Sequence, residues 1–474
     1  MTLALASLLI PLATALLLLF LRSRAGAWVI IASLLSLIVA GLALAEVVAH
    51  GTQTLAIGGW DTPLGIRFEL NLLSALLLTF TALVHLLVAV YAERSRHSQT
   101  RDTDYWPLSC LLHGSLAALW LSRDLFNWYV TLELLGLVAV AMIIISGPKA
   151  YGPALRYLLL SLAASLCYLL GVALLYGRYG VLDIDLLATM IDANHTTRLA
   201  LLLMTLGLML KAALWPLHLW LPAAHASAPT AVSALLSALV VKGPLFILWM
   251  LWSRMAPVEV AQPAGLLFAL AGIVALLAGG WAALRTPFLK TLVAYSTVAQ
   301  LGYALLALGL LLRWQQTELS AALWLFVLAH GLAKVSMFLA AGEMQATLGS
   351  KRVSSLKGAT QTMPIAMFAF AVAGGSLIGL PPSGGFVAKW VLLQPLLADP
   401  VHWPWALGVL LGTLASAAYV FRVVALAFDR ADPNPPNYNP DAFAQWLALL
   451  PALVVWGMAL YSEPLILWLT EVNR

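Results

Sequence analysis

The chain has 474 residues, of which 62% are hydrophobic and 9% charged, a balance that leaves far too little polar surface for a soluble protein. Its formal charge of +5 comes from basic residues scattered over short loops with no continuous patch, which excludes nucleic acid as a partner. Apolar runs of about 20 residues recur along the whole length, each enough to cross a hydrocarbon core roughly 30 Å thick, so the chain reads as an integral protein of the lipid bilayer.

Hydropathy gives about fourteen spans, near 2–21, 27–49, 70–92, 106–121, 125–146, 153–177, 198–225, 229–253, 263–282, 287–311, 319–343, 361–397, 404–428 and 442–470. The predicted fold is therefore an all-α polytopic membrane protein. The first span has no small-residue cleavage pattern before Arg22 and runs straight into the second, so it reads as a retained helix and not a signal peptide. The loops are too short for a soluble domain, a nucleotide fold or a redox module, and the Pro- and Asn-rich Asp432 to Pro440 reads as a turn.

Loops after odd-numbered spans hold Arg22, Arg24, Arg94, Arg96, Arg101, Lys149, Arg156, Arg285, Lys290, Lys351, Arg352, Lys357, Arg422 and Arg430. Loops after even-numbered spans hold Arg67, Arg123, Arg178, Arg198, Arg254 and Arg313. This excess places the odd loops in the cytoplasm and both termini on the outer face of a bacterial-type inner membrane.

Two spans look broken. The seventh carries Pro216 and Pro222, and the twelfth carries Gly379-Leu380-Pro381-Pro382-Ser383-Gly384-Gly385, which no regular helix accommodates. Interrupted spans at corresponding positions suggest two inverted five-helix repeats, spans 4–8 and 9–13; two incidental proline kinks are the alternative. On this reading 1–474 is a single membrane domain, with three N-terminal helices in 1–92, the repeats in 106–253 and 263–428, and a C-terminal helix in 442–470.

The stretch from Leu199 to Met250 holds Lys211 and Lys242 among leucines, valines and alanines. An ammonium at the bilayer centre costs about 2.5 to 3.5 kcal/mol on insertion scales, so each needs a partner or a watered cavity, and proton or ion movement becomes the first hypothesis. Glu133 is the one acid of the fifth span, and a carboxylate stays ionised in hydrocarbon only beside a cation, for which Lys211 is the expected partner; a purely structural ion pair is the alternative. Arg123 and Asp124, at the mouth of that span, read as interfacial anchors.

His330 and Lys334 are spaced i, i+4 and share a helix face, where an imidazole with an unperturbed pKa near 6.5 can accept and pass protons. A histidine bonded to a backbone carbonyl with Lys334 snorkelling is the alternative. His218 and His225 flank the break in the seventh span and either line water or cap freed carbonyls. Lys389, after the break in the twelfth span, reads as a relay terminus or an interfacial anchor. Cys110 and Cys167 read as small buried hydrophobes. No metal site is expected, since His218 and His225 have no thiolate or third imidazole nearby, and the glycines around the twelfth-span break lack a phosphate-loop ending, so no cofactor and no catalytic residue are assigned.

Several segments carry a family likeness: Lys211-Ala212-Ala213-Leu214-Trp215-Pro216-Leu217-His218-Leu219-Trp220-Leu221-Pro222, Ala228-Pro229-Thr230-Ala231-Val232-Ser233, Val241-Lys242-Gly243, Ala294-Tyr295-Ser296-Thr297-Val298-Ala299-Gln300, His330-Gly331-Leu332-Ala333-Lys334, and Gly379 to Phe386 leading to Lys389. Together they resemble the antiporter-like membrane subunits shared by respiratory complex I, membrane-bound hydrogenases and Mrp cation/proton antiporters. Gly59-Trp60-Asp61-Thr62-Pro63-Leu64-Gly65 and Asp124-Leu125-Phe126-Asn127 look most like the Mrp D-type branch. Pro244 departs from the small or apolar residue usual there and predicts a bend in the eighth span. The chain ends at Arg474, without the long lateral helix of the largest members.

The resemblance implies a proton-translocating subunit of a multisubunit monovalent cation/proton antiporter, a transporter component with no redox centre of its own. By the same likeness Glu133 and Lys211 form a coupling pair, Lys242 and His330 with Lys334 a central hydrated relay, and Lys389 the far exit. Its partners are then other membrane subunits of a hetero-oligomeric complex, protons, and either Na+ or K+. A proton-channel subunit of a redox or inorganic-carbon uptake complex is the second reading, and the density of buried lysines argues against a mere scaffold.

Overall fold

The computed structural model describes residues 1–95, 104–429 and 440–471; Arg96, Arg101, Arg430 and positions 432–439 of the expected final turn lie outside them. Helix dominates because hydrocarbon offers no water to satisfy peptide groups, which must therefore bond within their own segment. The first helices are α1 (Thr2–Phe20) and α2 (Ala25–His50), joined through Arg24 in the left-handed conformation. Both present rows of exposed leucine and isoleucine, as lipid-facing surfaces do.

An antiparallel hairpin that hydropathy does not announce follows: β1 (Gln53–Ala56) pairs with β2 (Arg67–Leu70), Gln53 opposite Leu70. Asn71 and Ser74 then form a reciprocal capping box that starts α3 (Leu72–Arg94). Next come α4 (Tyr105–Leu121) and α5 (Leu125–Ile144). Here the expectation for Arg123 and Asp124 needs correcting. Asp124 caps α5 by accepting from the Asn127 N–H at 2.7 Å, and the Arg123 guanidinium is 2% exposed and donates to Glu69 Oε1 at 3.2 Å. Arg123 ties the helix start to the hairpin and is buried instead of exposed, because Glu69 on β2 supplies an internal counter-charge.

The chain continues through α6 (Tyr151–Tyr179), the short α7 (Ile184–Met190), α8 (His195–Lys211) and α9 (Leu221–Ser227). The expected seventh span is thus two helices, α8 and α9, separated by the Pro216 segment. The eighth is also irregular: α10 (Thr230–Leu235), a π-helical stretch Leu236–Val240, α11 (Lys242–Met250) and a second π stretch Leu251–Met255. Pro244 has no N–H to continue the ladder, and the wider π turn just before it accommodates the missing bond.

Then follow α12 (Val258–Arg285), α13 (Leu289–Trp314), α14 (Glu318–Leu348), the one-turn α15 (Ala359–Thr362), α16 (Pro364–Ile378), α17 (Gly384–Ala398), α18 (Trp403–Phe428), α19 (Ala442–Gly457) and α20 (Ser462–Glu471). The twelfth span is therefore α16 and α17, broken at the Gly379–Ser383 segment. Among the described residues eleven helical stretches are long and apolar enough to cross a membrane, with α16 and α17 as shorter apolar helices.

Burial locates the centre. The apolar windows of Thr230–Met255 and α14 are 100% buried and that of α13 is 94% buried, against 28% for α1, so the eighth-span segment, α13 and α14 form the axis around which the others pack. Close packing of α12 on α13 depends on small residues. A Cβ on Gly272 would sit 2.6 Å from the Gly302 carbonyl oxygen and 2.7 Å from the Leu306 N, backbone atoms that cannot step aside. Gly272→Val is therefore expected to destabilise the fold by about 1–3 kcal/mol, seen as a lower melting temperature and lower abundance in the membrane. Wild-type melting would show that the two helices do not meet there.

Candidate functional site

Lys211 is the last residue of α8, and its side chain reaches α5 and α6 across the bundle. Its Nζ donates to Glu133 Oε1 at 3.0 Å, to Ser161 Oγ at 3.0 Å and to the Leu132 carbonyl at 3.4 Å, and the Ser165 hydroxyl donates to the same Glu133 oxygen. Gly136 makes room for this: a Cβ there would lie 2.9 Å from Ser161 Oγ and 3.7 Å from Lys211 Nζ. The lysine is 5% exposed but the Glu133 side chain is 20% exposed, because its neighbours on α5, Val130 and Leu137, face outward. The expected pair is present, and it sits at the edge of the bundle. A cavity of about 10 Å³, the size of one water, connects Lys211 and Ser161 with Val240 and Pro244 of the eighth span.

In the fully buried centre, Lys242 Nζ donates to the Ser237 carbonyl of the π stretch at 2.5 Å and lies 2.8 Å from His330 Nδ1. A charged Lys242 donates to that ring nitrogen. Lys334 shares the helix face of His330 but bonds elsewhere, to the Val293 carbonyl at 3.0 Å and to the Ser296 hydroxyl. The structure thus pairs His330 with Lys242 and gives Lys334 a cradle on α13. Between the two centres Ser237 Oγ and Thr297 Oγ1 are hydrogen-bonded at 2.9 Å.

The histidines beside the first break separate. His225 is completely buried, stacks on Phe338 at 4.6 Å, and neither of its ring nitrogens has a hydrogen-bond partner among the described residues. His218 is half-buried and edge-on to Tyr295 at 6.4 Å. The Leu210 carbonyl at the end of α8 is capped by the Trp220 indole N–H at 2.8 Å, and His218 interacts with the backbone of Pro216 in the break.

Lys389 is 5% exposed and caps the end of α16, donating to the carbonyls of Leu377 at 2.9 Å and Ile378 at 3.0 Å and to Thr413 Oγ1 at 3.2 Å, with its ammonium 4.2 Å from the centre of the Tyr303 ring. Gly379 is required here twice over, by a φ of 91° and because a Cβ would lie 3.0 Å from the lysine Cδ. Gln300, one turn beyond Ser296 on α13, links this end to the centre: its side-chain nitrogen lies within hydrogen-bond distance of the Leu377 carbonyl at 3.3 Å, Ser416 Oγ at 2.9 Å and Tyr419 OH at 3.1 Å. Sequence reasoning missed its role, although an amide alone in an apolar span is a signal of the same kind as a lone lysine.

The whole is a polytopic membrane protein with Lys242, His330, Lys334 and Lys389 inside its helical bundle and the Glu133–Lys211 pair at its edge. Residues 122–416 match the NADH:quinone oxidoreductase/Mrp antiporter transmembrane family, and the chain belongs to that family. It is 34% identical over 417 residues to NADH-quinone oxidoreductase subunit N of Desulforudis audaxviator (strain MP104C), covering 86% of this chain and 82% of the relative. With the D-type subunit of the Na(+)/H(+) antiporter of Bacillus subtilis (strain 168) it shares 28% identity over 441 residues, 91% of this chain and 88% of the relative. Among solved structures, a chain of the membrane-bound sulfane sulfur reductase, an archaeal respiratory membrane complex, superposes with a TM-score of 0.91 at 26% identity, covering 99% of this chain and 96% of that one.

The pair itself is testable by a double-mutant cycle. Lys211→Met strands the Glu133 carboxylate, a loss on the order of 3–5 kcal/mol for a buried pair, whereas Glu133→Gln/Lys211→Met is expected to restore most of the melting temperature and membrane abundance. Defects in the double variant equal to the sum of the single ones would show that the two side chains are not coupled.

Proposed function

We propose that the chain is the proton-translocating subunit of a multisubunit monovalent cation/proton antiporter, and that Glu133, Lys211, Lys242, His330, Lys334 and Lys389 carry the proton. The observation that carries this reading is the 2.8 Å contact of Lys242 with His330 Nδ1 in the fully buried centre, flanked by amines whose remaining partners are carbonyls and hydroxyls. A proton on Lys242 Nζ can pass to that nitrogen without either side chain moving. The Ser237–Thr297 hydroxyl pair and Gln300 support continuity towards Lys334 and Lys389, with water completing the gaps.

A buried lysine gives up its proton when its surroundings weaken its hold, which desolvation does and a close carboxylate opposes. Glu133 is therefore the controlling group: drawn away from Lys211, it frees that lysine to release. Its partial exposure beside outward-facing Val130 and Leu137 is where a neighbouring membrane subunit would pack and supply the competing charge. A row of amines repels Na+ and K+, so the exchanged cation crosses elsewhere in the assembly. The basic-residue count supports a bacterial-type inner membrane with both termini on the outer face. The break positions support spans 4–8 and 9–13 as inverted repeats within one membrane domain.

The likeness to an NADH-quinone oxidoreductase subunit N favours a second reading, a proton-channel subunit of a membrane redox complex that uses the same row. Isolating the native complex and identifying its subunits separates the two.

Glu133→Gln is expected to abolish coupled proton movement in membrane vesicles with the protein still present, and Glu133→Asp to retain part of it; normal flux in Glu133→Gln would remove the carboxylate from the mechanism. Lys334→Ala should lower flux by roughly a hundredfold and His330→Ala by less, because water replaces an imidazole in a hydrated chain more readily than it replaces a fixed charge. Equal and negligible effects would make both residues structural.

A further inference from the structure

A cavity of about 730 Å³ opens between the segment before α6, the junction of α9 with α10, and the end of α14, at the end of the bundle that carries the odd-numbered loops. Its charged lining is Lys149, Lys290 and Lys351, with no carboxylate among the described residues that line it. Lys290 is 8% exposed and donates to the Ala228 carbonyl at 3.1 Å, a bond that uses one of its three protons. Backbone bonds hold Lys351 close to it: the Leu289 N–H donates to the Lys351 carbonyl at 2.9 Å, and the Val353 N–H to the Pro287 carbonyl at 2.8 Å. Ser146 Oγ and Gln345 Nε2 are two further buried polar atoms on the wall, and neither has a hydrogen-bond partner among the described residues.

Lys290 is buried in the wall while Lys149 and Lys351 stand exposed on the lining, and their summed positive field favours a negatively charged occupant. The same field disfavours metal cations in the cavity. Its volume falls within the range of pockets that bury small ligands. A tetrahedral oxyanion offers several acceptor oxygens, enough to bond ammonium, hydroxyl and amide donors together.

We propose that this cavity is an anion site that takes a phosphate group, either free phosphate or the headgroup of an acidic phospholipid. The site is independent of the relay and stands whether or not the row conducts protons. The test uses the native complex containing the full chain, purified and stripped of acidic lipid. Its melting temperature is followed in one arm against inorganic phosphate, with chloride at matched ionic strength as reference. In the other arm it is followed in phosphatidylcholine nanodiscs with and without phosphatidylglycerol.

Saturable stabilisation is expected in at least one arm, the phosphate arm identifying a soluble ligand and a response confined to the lipid arm a headgroup. Lys149→Gln/Lys351→Gln, which changes only the two exposed lysines, should weaken the response by about tenfold in apparent affinity. Lys290→Met should weaken it further where the variant folds. No stabilisation beyond chloride and phosphatidylcholine, or an undiminished response in the double variant, overturns the proposal.

Discussion

An ammonium group inside hydrocarbon must find acceptors for its protons, and the rest of this structure is arranged around that need. Each buried lysine meets it through a backbone carbonyl: Leu132 for Lys211, Ser237 for Lys242, Val293 for Lys334, Leu377 and Ile378 for Lys389, and Ala228 for Lys290. A regular helix has few carbonyls to spare, since each already accepts the N–H four residues on. Three of these five lysines draw on irregular backbone: Lys242 on the π stretch before it, Lys389 on the break after α16, and Lys290 on the junction of α9 with α10. The proline and glycine positions are thus the source of the acceptors that make buried charge tolerable. Lys211 and Lys334 are the exceptions, taking carbonyls from inside α5 and α13 and adding Glu133 with Ser161 in the first case and the Ser296 hydroxyl in the second.

The centre is also the most enclosed part of the molecule. The eighth-span segment, α13 and α14 are almost wholly buried, and there Ser237, Lys242, Thr297, Gln300, His330 and Lys334 each meet a polar neighbour in the protein. An imidazole 2.8 Å from an ammonium persists only where the surrounding packing holds both, and the aromatic ring of Phe326, stacked on His330 at 5.7 Å, forms part of that wall.

The Glu133–Lys211 pair was legible because each side chain is conspicuous in its own span and opposite charges in hydrocarbon have few alternatives. Both broken spans were legible for a similar reason, proline and glycine leaving no regular ladder. The partner of His330 was not: i, i+4 spacing puts Lys334 on the same face but says nothing of what stands opposite, and Lys242 on another helix took the contact. Ser237, Ser296, Thr297 and Thr413 escaped notice because hydroxyl residues bond to their own helix backbone as a matter of course and give no pattern. The hairpin at β1 and β2 is too short for alternation to register, and Arg123 looked like an anchor only because its counter-charge, Glu69, lies 54 residues earlier.

The two ends of the row differ in a way that bears on the proposed function. Lys211 is held by a full negative charge on a side chain at the bundle's edge, whereas Lys389 is held by carbonyl dipoles and the face of Tyr303, all fixed by the backbone of α16 and by α13. A displaced carboxylate changes the field at Lys211 by a whole charge, but no comparable change is available to Lys389 without unwinding the end of α16. In the proposed relay control therefore lies at the Glu133 end, and Lys389 follows the proton occupancy of the centre. A subunit packed against α5 can drive such a row, and one packed against α17 can only receive from it.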